Sequence, residues 1–169
     1  MNTSASSITS AQVGEWLAEI SDPEIPVLSI VDLGILRGFN YDATTHTATV
    51  QITPTYSGCP AMDLISMQVR MALMSRGIQQ VTVDMVLSPA WTTDWITESG
   101  KEKMKNYGIA PPQRRSADKD LGLFERDEVP CPRCGSVHTA LVNQFGATSC
   151  KSMYKCLDCK EPFEHFKCH

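Results

Sequence analysis

The chain of 169 residues is short of the features that mark several large functional classes. No run approaches the roughly 18 consecutive apolar residues of a membrane span, so a helical membrane segment is not expected. Residues 1–10 are small and polar, without the basic and apolar regions of a secretion signal or the basic residues of a transit peptide; the expected location is a reducing cytoplasm, away from membranes. There is no glycine-rich phosphate cradle, no dinucleotide fingerprint and no set of Glu-x-x-His helix pairs, which speaks against phosphoryl transfer, nicotinamide chemistry or a di-iron bundle in this chain. An independent enzyme is therefore not expected. Positive charge is scarce: Lys+Arg against Asp+Glu stands at 6 to 11 over residues 1–109, 4 to 5 over 110–128 and 5 to 3 over 129–169. Four metal-bound thiolates would cancel the excess of two in the last segment, so nucleic acid is not an expected partner. Cysteine, too, is nearly absent from the first 130 residues: Cys59 stands alone, and the other six of seven follow.

What is present starts with those six. The length suits one domain of about 100 to 130 residues plus a small appendage, and a segment as short as 129–169 ordinarily needs a metal or disulfides to fold. Cys131-Pro-Arg-Cys134 and Cys156-Leu-Asp-Cys159, separated by 21 residues, are two Cys-x-x-Cys knuckles. A hairpin between them brings four thiolates around one tetrahedral Zn²⁺; an iron centre with the same ligands is the alternative. With all four positions filled by protein, the metal would be structural. Strands over 137–142 and 151–154, with Phe145-Gly146 at the turn, make a zinc ribbon.

Cys150 and Cys168 remain. Cys150 lies six residues before Cys156, about 20 Å along an extended strand, too far to join that quartet. If the chain returns antiparallel over 161–167 with Cys156 opposite Pro162, Cys150 faces Cys168. That makes a candidate second thiol site for a metal or cluster, with His165 or His169 nearby; the alternative is two small core cysteines.

Upstream, helical periodicity covers 10–20 (Val13, Trp16, Leu17, Ile20) with Thr9 or Ser10 as cap. Asp22-Pro-Glu-Ile-Pro-Val27 is read as an extended, rigid loop because of its two prolines. Residues 35–41 and 46–53 form a hairpin, with Ala48, Val50 and Ile52 alternating. A helix over 60–76 buries Ile65, Val69, Ala72 and Leu73, and a third strand carries Val81, Val83, Met85 and Leu87. A final helix spans 97–107. The fold class is α+β: a compact, helix-covered sheet followed by a ribbon. The domains are 10–109, a linker at 110–128 rich in charge (with Arg114, Arg115, Leu121, Leu123 and Phe124), and 129–169. His46 reads as a surface residue, Asp94 as a neighbour of packed Trp91 and Trp95, and Met62, Met67, Met71 and Met74 as core and partner surface.

Cys59 sits where the strand pattern stops and the helical one starts. With Pro60 suited to the first helical position, Cys59 reads as the N-cap, where unpaired amides and the helix dipole favour thiolate over thiol. Thr53, Thr55, Tyr56 and Ser57 surround it in sequence, and Asp22 and Glu24 are candidates to face it. A reactive thiol that receives and hands on metal or sulfur is one reading; a buried cysteine, with Asp22 capping a turn, is the other.

Residues 22–34 (DPEIPVLSIVDLG), 53–60 (TPTYSGCP), 89–95 (PAWTTDW), 107–112 (YGIAPP), 131–134 (CPRC), 145–151 (FGATSCK) and 161–168 (EPFEHFKC) together resemble the PaaD family, the D components of bacterial phenylacetyl-coenzyme A epoxidase systems. Residues 10–109 by themselves resemble the SufT-like iron-sulfur assembly domain. The resemblance implies a transfer site at Asp22, Glu24, Thr53, Thr55 and Cys59, and an accessory role in phenylacetate degradation: delivery or assembly of an iron or iron-sulfur centre, carried transiently, in a partner subunit. The implied partners are the di-iron subunit or the flavin and iron-sulfur reductase of that system, and a second copy of the chain is a further candidate. The alternative is a structural adaptor in the same complex that carries no iron.

Overall fold

Thr9 and Gln12 cap each other's backbone at the start of the first helix. Gln12 Oε1 accepts from the Thr9 N–H at 2.9 Å and Thr9 Oγ1 from the Gln12 N–H at 3.3 Å, a capping box that satisfies two otherwise unpaired donors. The computed structural model of the protein describes residues 8–113 and 129–167, and the chain divides into two units, Met1–Trp91 and Thr92–His169.

The first unit runs α1 (Ser10–Ala18), β1 (Leu36–Asp42), β2 (Thr47–Ile52), α2 (Ala61–Met74) and β3 (Gln80–Met85). β1 and β2 form the expected antiparallel hairpin, its connection held by Asp42 Oδ1, which accepts from the Thr44 N–H at 2.8 Å. β2 pairs parallel with β3, from Thr47 opposite Gln80 to Ile52 opposite Met85; α2 is the crossover that a parallel pair needs. Val13 and Leu17 of α1, Ala48, Val50 and Ile52 of β2, and Ile65, Val69 and Leu73 of α2 are all buried. The helical and strand periodicities therefore meet in one helix-covered, mixed sheet. The methionines of α2 divide. Met62 is buried, whereas Met67, Met71 and Met74 are exposed.

Two local expectations change. The segment from Asp22 is a closed turn rather than an extended loop: Asp22 Oδ1 accepts from the N–H groups of Glu24 (2.9 Å) and Ile25 (2.7 Å), and the Asp22 N–H reaches back to Leu28 O at 2.8 Å. A short acidic side chain ahead of proline initiates such a turn. And α2 begins one residue later than expected, with Pro60 as its N-cap. Gly58, at φ +79°, lets the Cys59 N–H close a turn onto Tyr56 O at 3.3 Å, which leaves Cys59 just outside the helix.

In the second unit, a 3₁₀ turn (Thr93–Trp95) precedes α3 (Glu98–Tyr107). Thr97 Oγ1 caps α3 by accepting from the Gly100 N–H at 2.9 Å, and Gly108, at φ +95°, ends it. Then come β4 (Ile109–Ala110), β5 (Thr139–Asn143), β6 (Lys151–Cys156) and β7 (Pro162–Phe166), in the sheet order β4-β7-β6-β5. Contacts divide the chain after Trp91, beside the expected domains at 10–109 and 129–169 with a linker at 110–128; Ile109 and Ala110 are strand partners of Glu164 and His165. Arg114, Arg115, Leu121, Leu123 and Phe124 lie outside the described residues.

The ribbon register also differs by one residue. Lys155, not Cys156, is opposite Pro162, because the Cys156 N–H bonds to Glu161 O at 3.0 Å as the knuckle turns. Cys150 is thereby matched with Lys167, whose N–H bonds to Cys150 O at 2.9 Å. Among the described residues no helix is long and apolar enough to cross a membrane.

Candidate functional site

The two knuckles present their cysteines at the ends of the hairpin. Cys131 and Cys156 are buried, Cys134 and Cys159 exposed. Their sulfurs all lie within 4.8 Å of one another, with Cys131 to Cys159 at 3.8 Å and Cys134 to Cys156 at 3.6 Å. A tetrahedral ion with Zn–S bonds of about 2.3 Å separates its sulfurs by about 3.8 Å, so the donor set and its size fit Zn²⁺. The amide of Cys159 points at Cys156 Sγ (3.5 Å). That amide and the one of Asp158 bring the Cys156 thiol down to about 6. Cys159 accepts an amide hydrogen bond from Glu161, which lowers it, but burial and the three neighbouring sulfurs push it up to about 12. Cys134 is raised as well: its amide bond from Ser136 is outweighed by burial and by neighbouring sulfurs. Cys156 is ready to ionise, whereas Cys134 and Cys159 need a cation to do so, as expected where metal binding displaces protons. A bound Zn²⁺ would supply four bonds that hold the two knuckles together.

The sequence reading missed the polar residues around this quartet. Ser136 Oγ donates to Asp158 Oδ2, and His138 Nδ1 lies 3.1 Å from Asp158 Oδ1. The signal was legible in hindsight, since Asp158 sits between two ligands and Ser136 two residues after another. Further along, Lys151 Nζ and Glu164 Oε2 form a largely buried ion pair at 2.8 Å, and Glu164 Oε1 accepts from the Ala147 N–H at 2.9 Å. Cys150 is buried, 3.0 Å from Thr148 Oγ1; Cys168 and His169 lie outside the described residues. His165 is buried beside Ser152, with Nδ1 3.4 Å from its hydroxyl.

In the first unit, Cys59 is half-buried at the mouth of α2. Burial pushes its thiol up from the ordinary 9.0, an amide bond from Ala61 and a side-chain bond with Tyr56 work the other way, and the charges of Glu24 and Asp22 push it up again. The net shift is upward, so the expected preference for thiolate is reversed in the absence of a cation. The helix end does supply an amide, as anticipated, but desolvation and two carboxylates outweigh it. Asp22, Glu24 and Tyr56 thus act on Cys59. Thr53 and Thr55 are buried beyond the end of β2 and do not figure among the groups acting on the thiol. Among the described residues, only the four ribbon cysteines form a group of three or more Cys, His, Asp or Glu ligands drawn within 4.8 Å; the donors of Asp22, Glu24 and Cys59 are more open. Of the remaining candidates, Trp91 is buried and donates from Nε1 to Leu33 O at 2.8 Å, Asp94 is exposed in the 3₁₀ turn, and His46 Nδ1 is 3.1 Å from the Tyr41 hydroxyl.

Comparison with known proteins divides the chain in a similar way. Residues 10–85 match the family described as iron-sulfur cluster assembly protein, and residues 115–167 match the PaaD zinc beta ribbon domain. An Fe-S protein maturation auxiliary factor of Porphyromonas gingivalis (strain ATCC BAA-308 / W83) is 35% identical over 53% of this chain and 85% of its own. The crystal structure of a domain of unknown function, DUF59, from Bacillus anthracis aligns with 56% of this chain and 89% of its own at a TM-score of 0.52 and 24% identity, a likeness of fold. A protein of Escherichia coli (strain K12), provisionally named as a component of 1,2-phenylacetyl-CoA epoxidase, is 46% identical over 93% of this chain and 92% of its own. With that extent of identity, and with both domain models matched in the same chain, this protein belongs to the PaaD family.

Proposed function

We propose that this chain is a maturation protein for a phenylacetyl-CoA epoxidase system, in which Cys59 takes up iron or an iron-sulfur species as cargo and passes it to a partner subunit. The observation that carries this reading is a half-buried thiol at the mouth of α2 with Glu24 and Asp22 close enough to raise it, in a segment that matches iron-sulfur assembly proteins. An incoming cation is drawn by the two carboxylates, reverses the electrostatic balance that keeps the thiol protonated, and binds as the Cys59 proton leaves to water. The openness of the donor set suits transient holding, because a closed quartet would retain its metal. Thr53 and Thr55 shape the wall of the loop. The Cys131, Cys134, Cys156 and Cys159 site holds structural Zn²⁺ and presents the ribbon to the client. Cys150 and Cys168 are kept as a candidate second thiol site on their chemistry alone, because the observed register matches Cys150 with Lys167.

A second reading, an adaptor that carries no iron, draws on Asp22: its Oδ1 is already committed to the amides of Glu24 and Ile25, as a purely structural residue would be. The two readings separate on Cys59→Ser produced together with the epoxidase subunits. Delivery predicts a folded, zinc-containing variant and a client deficient in iron; a client with full iron content and activity would leave the adaptor.

A further inference from the structure

We infer that Asp158 is a positioning residue for the ribbon's metal quartet, clamping one knuckle to the other through Ser136 and His138. The proposal rests on the reading that the quartet holds Zn²⁺. Asp158 lies inside the second knuckle, between Cys156 and Cys159, while Ser136 and His138 follow the first. Both carboxylate oxygens reach across: Oδ2 accepts from Ser136 Oγ, and Oδ1 meets His138 Nδ1 at 3.1 Å. The arms are themselves fixed, because Ser136 Oγ also accepts from the His138 N–H at 3.0 Å. One backbone bond completes the crossing, from the Leu157 N–H to His138 O at 2.8 Å, while the Cys131 N–H closes the first knuckle on itself by donating to Ser136 O at 2.9 Å. The knuckles are therefore joined by a polar bridge that contains no sulfur, and the four sulfurs converge at its side. Such a bridge lowers the ordering cost of gathering four ligands and resists their separation once an ion is bound.

The test uses the full chain, with zinc content by elemental analysis, affinity by competition with a chromophoric chelator, and release rate after mixing with excess chelator. Asp158→Ala is expected to keep one zinc per chain while losing about 10- to 100-fold in affinity, mostly as faster release. Asp158→Asn keeps an acceptor for Ser136 Oγ and, with the imidazole in its other tautomer, a donor for His138 Nδ1, so it should restore most of the loss. With Co²⁺ in place of zinc, all variants should give the same tetrahedral thiolate spectrum at saturation. Affinity of Asp158→Ala within twofold of the parent overturns the proposal, as does an equal loss in Asp158→Asn, which would assign the effect to charge. If Asp158→Ala does not fold, Ser136→Ala decides, and an unchanged release rate there overturns the clamp. A parent protein without zinc would instead sink the zinc reading of the quartet.

Discussion

Stripping the metal from the full chain should unfold the ribbon and leave the first unit intact. The apolar cluster around the quartet consists of Ala110, Val129, Cys131, Cys156 and Phe163, with Tyr154 packed against it. Two of the five belong to the cysteine quartet. Burial of Val129 and Phe163 contributes about 1.5 to 3 kcal/mol each, so these two anchors give about 3 to 6 kcal/mol, against about 10 to 16 kcal/mol for structural zinc binding. Phe166 of β7 and Ile109 of β4 are buried as well, but the metal term exceeds what the two anchors beside the quartet supply, so the knuckle-bearing strands depend on it to offset their ordering entropy. No ligand of the quartet comes from residues 8–91, whose own core includes Val13, Leu17, Val50, Ile65 and Leu73. Amide hydrogen exchange of the zinc-free protein should show protection lost over β5, β6 and β7 and kept over β1, β2, β3 and α2. The Trp91 indole N–H, bonded to Leu33 O, is a convenient reporter of the first unit. Ribbon protection that persists in protein shown by elemental analysis to hold no metal would refute this reasoning.

Other consequences are open to simple measurements. Because Glu24 and Asp22 raise the Cys59 thiol, Glu24→Gln should speed its alkylation near neutral pH, read by mass spectrometry of the labelled peptide; an unchanged rate would remove Glu24 from the site. Glu164→Ala leaves the Lys151 ammonium, on a side chain 6% exposed, without its carboxylate and should cost about 3 to 5 kcal/mol of ribbon stability in denaturant unfolding, whereas Lys151→Met with Glu164→Leu should recover most of that. The Glu164 carboxyl, despite burial that raises it, is held below its ordinary 4.5 by Lys151 and the Ala147 amide. Its contribution is therefore present above pH 4.5 and is lost as the pH falls through the lower folded value; urea midpoints between pH 6 and 3 would show a drop that Glu164→Gln lacks. Thr9→Ala removes the capping box of α1 and should cost about 1 kcal/mol, again by denaturant titration.

The fold was legible wherever a pattern repeats. Val13 and Leu17, the alternation of Ala48, Val50 and Ile52, and the row of Ile65, Val69 and Leu73 each disclose a face, and all are buried. The spacing of the two knuckles told as much about the quartet. What could not be read depends on single hydrogen bonds. The slip that pairs Lys155 with Pro162 follows from one amide, that of Cys156 on Glu161 O, and a one-residue slip changes which side chains face each other. The closed turn at Asp22 depends on a side-chain oxygen taking two amides, where prolines alone suggested extended chain. At Cys59 the helix start was legible, but the thiol's preference was not, because it is decided by burial and by Glu24 and Asp22, brought near by a loop distant in sequence. The exposed row of Leu64, Met67, Met71 and Met74 has helical spacing that a buried face would share, so pattern could not say which side of α2 meets solvent.

The most direct measurement loads the purified full-length protein with ferrous iron and sulfide without oxygen, mixes it with metal-free epoxidase subunits, and follows iron appearing in the partner, for the parent and for Cys59→Ser with its zinc intact. Transfer that depends on Cys59 is the predicted result. Equal transfer from both proteins, or no iron held by either, would contradict a cargo site at the mouth of α2.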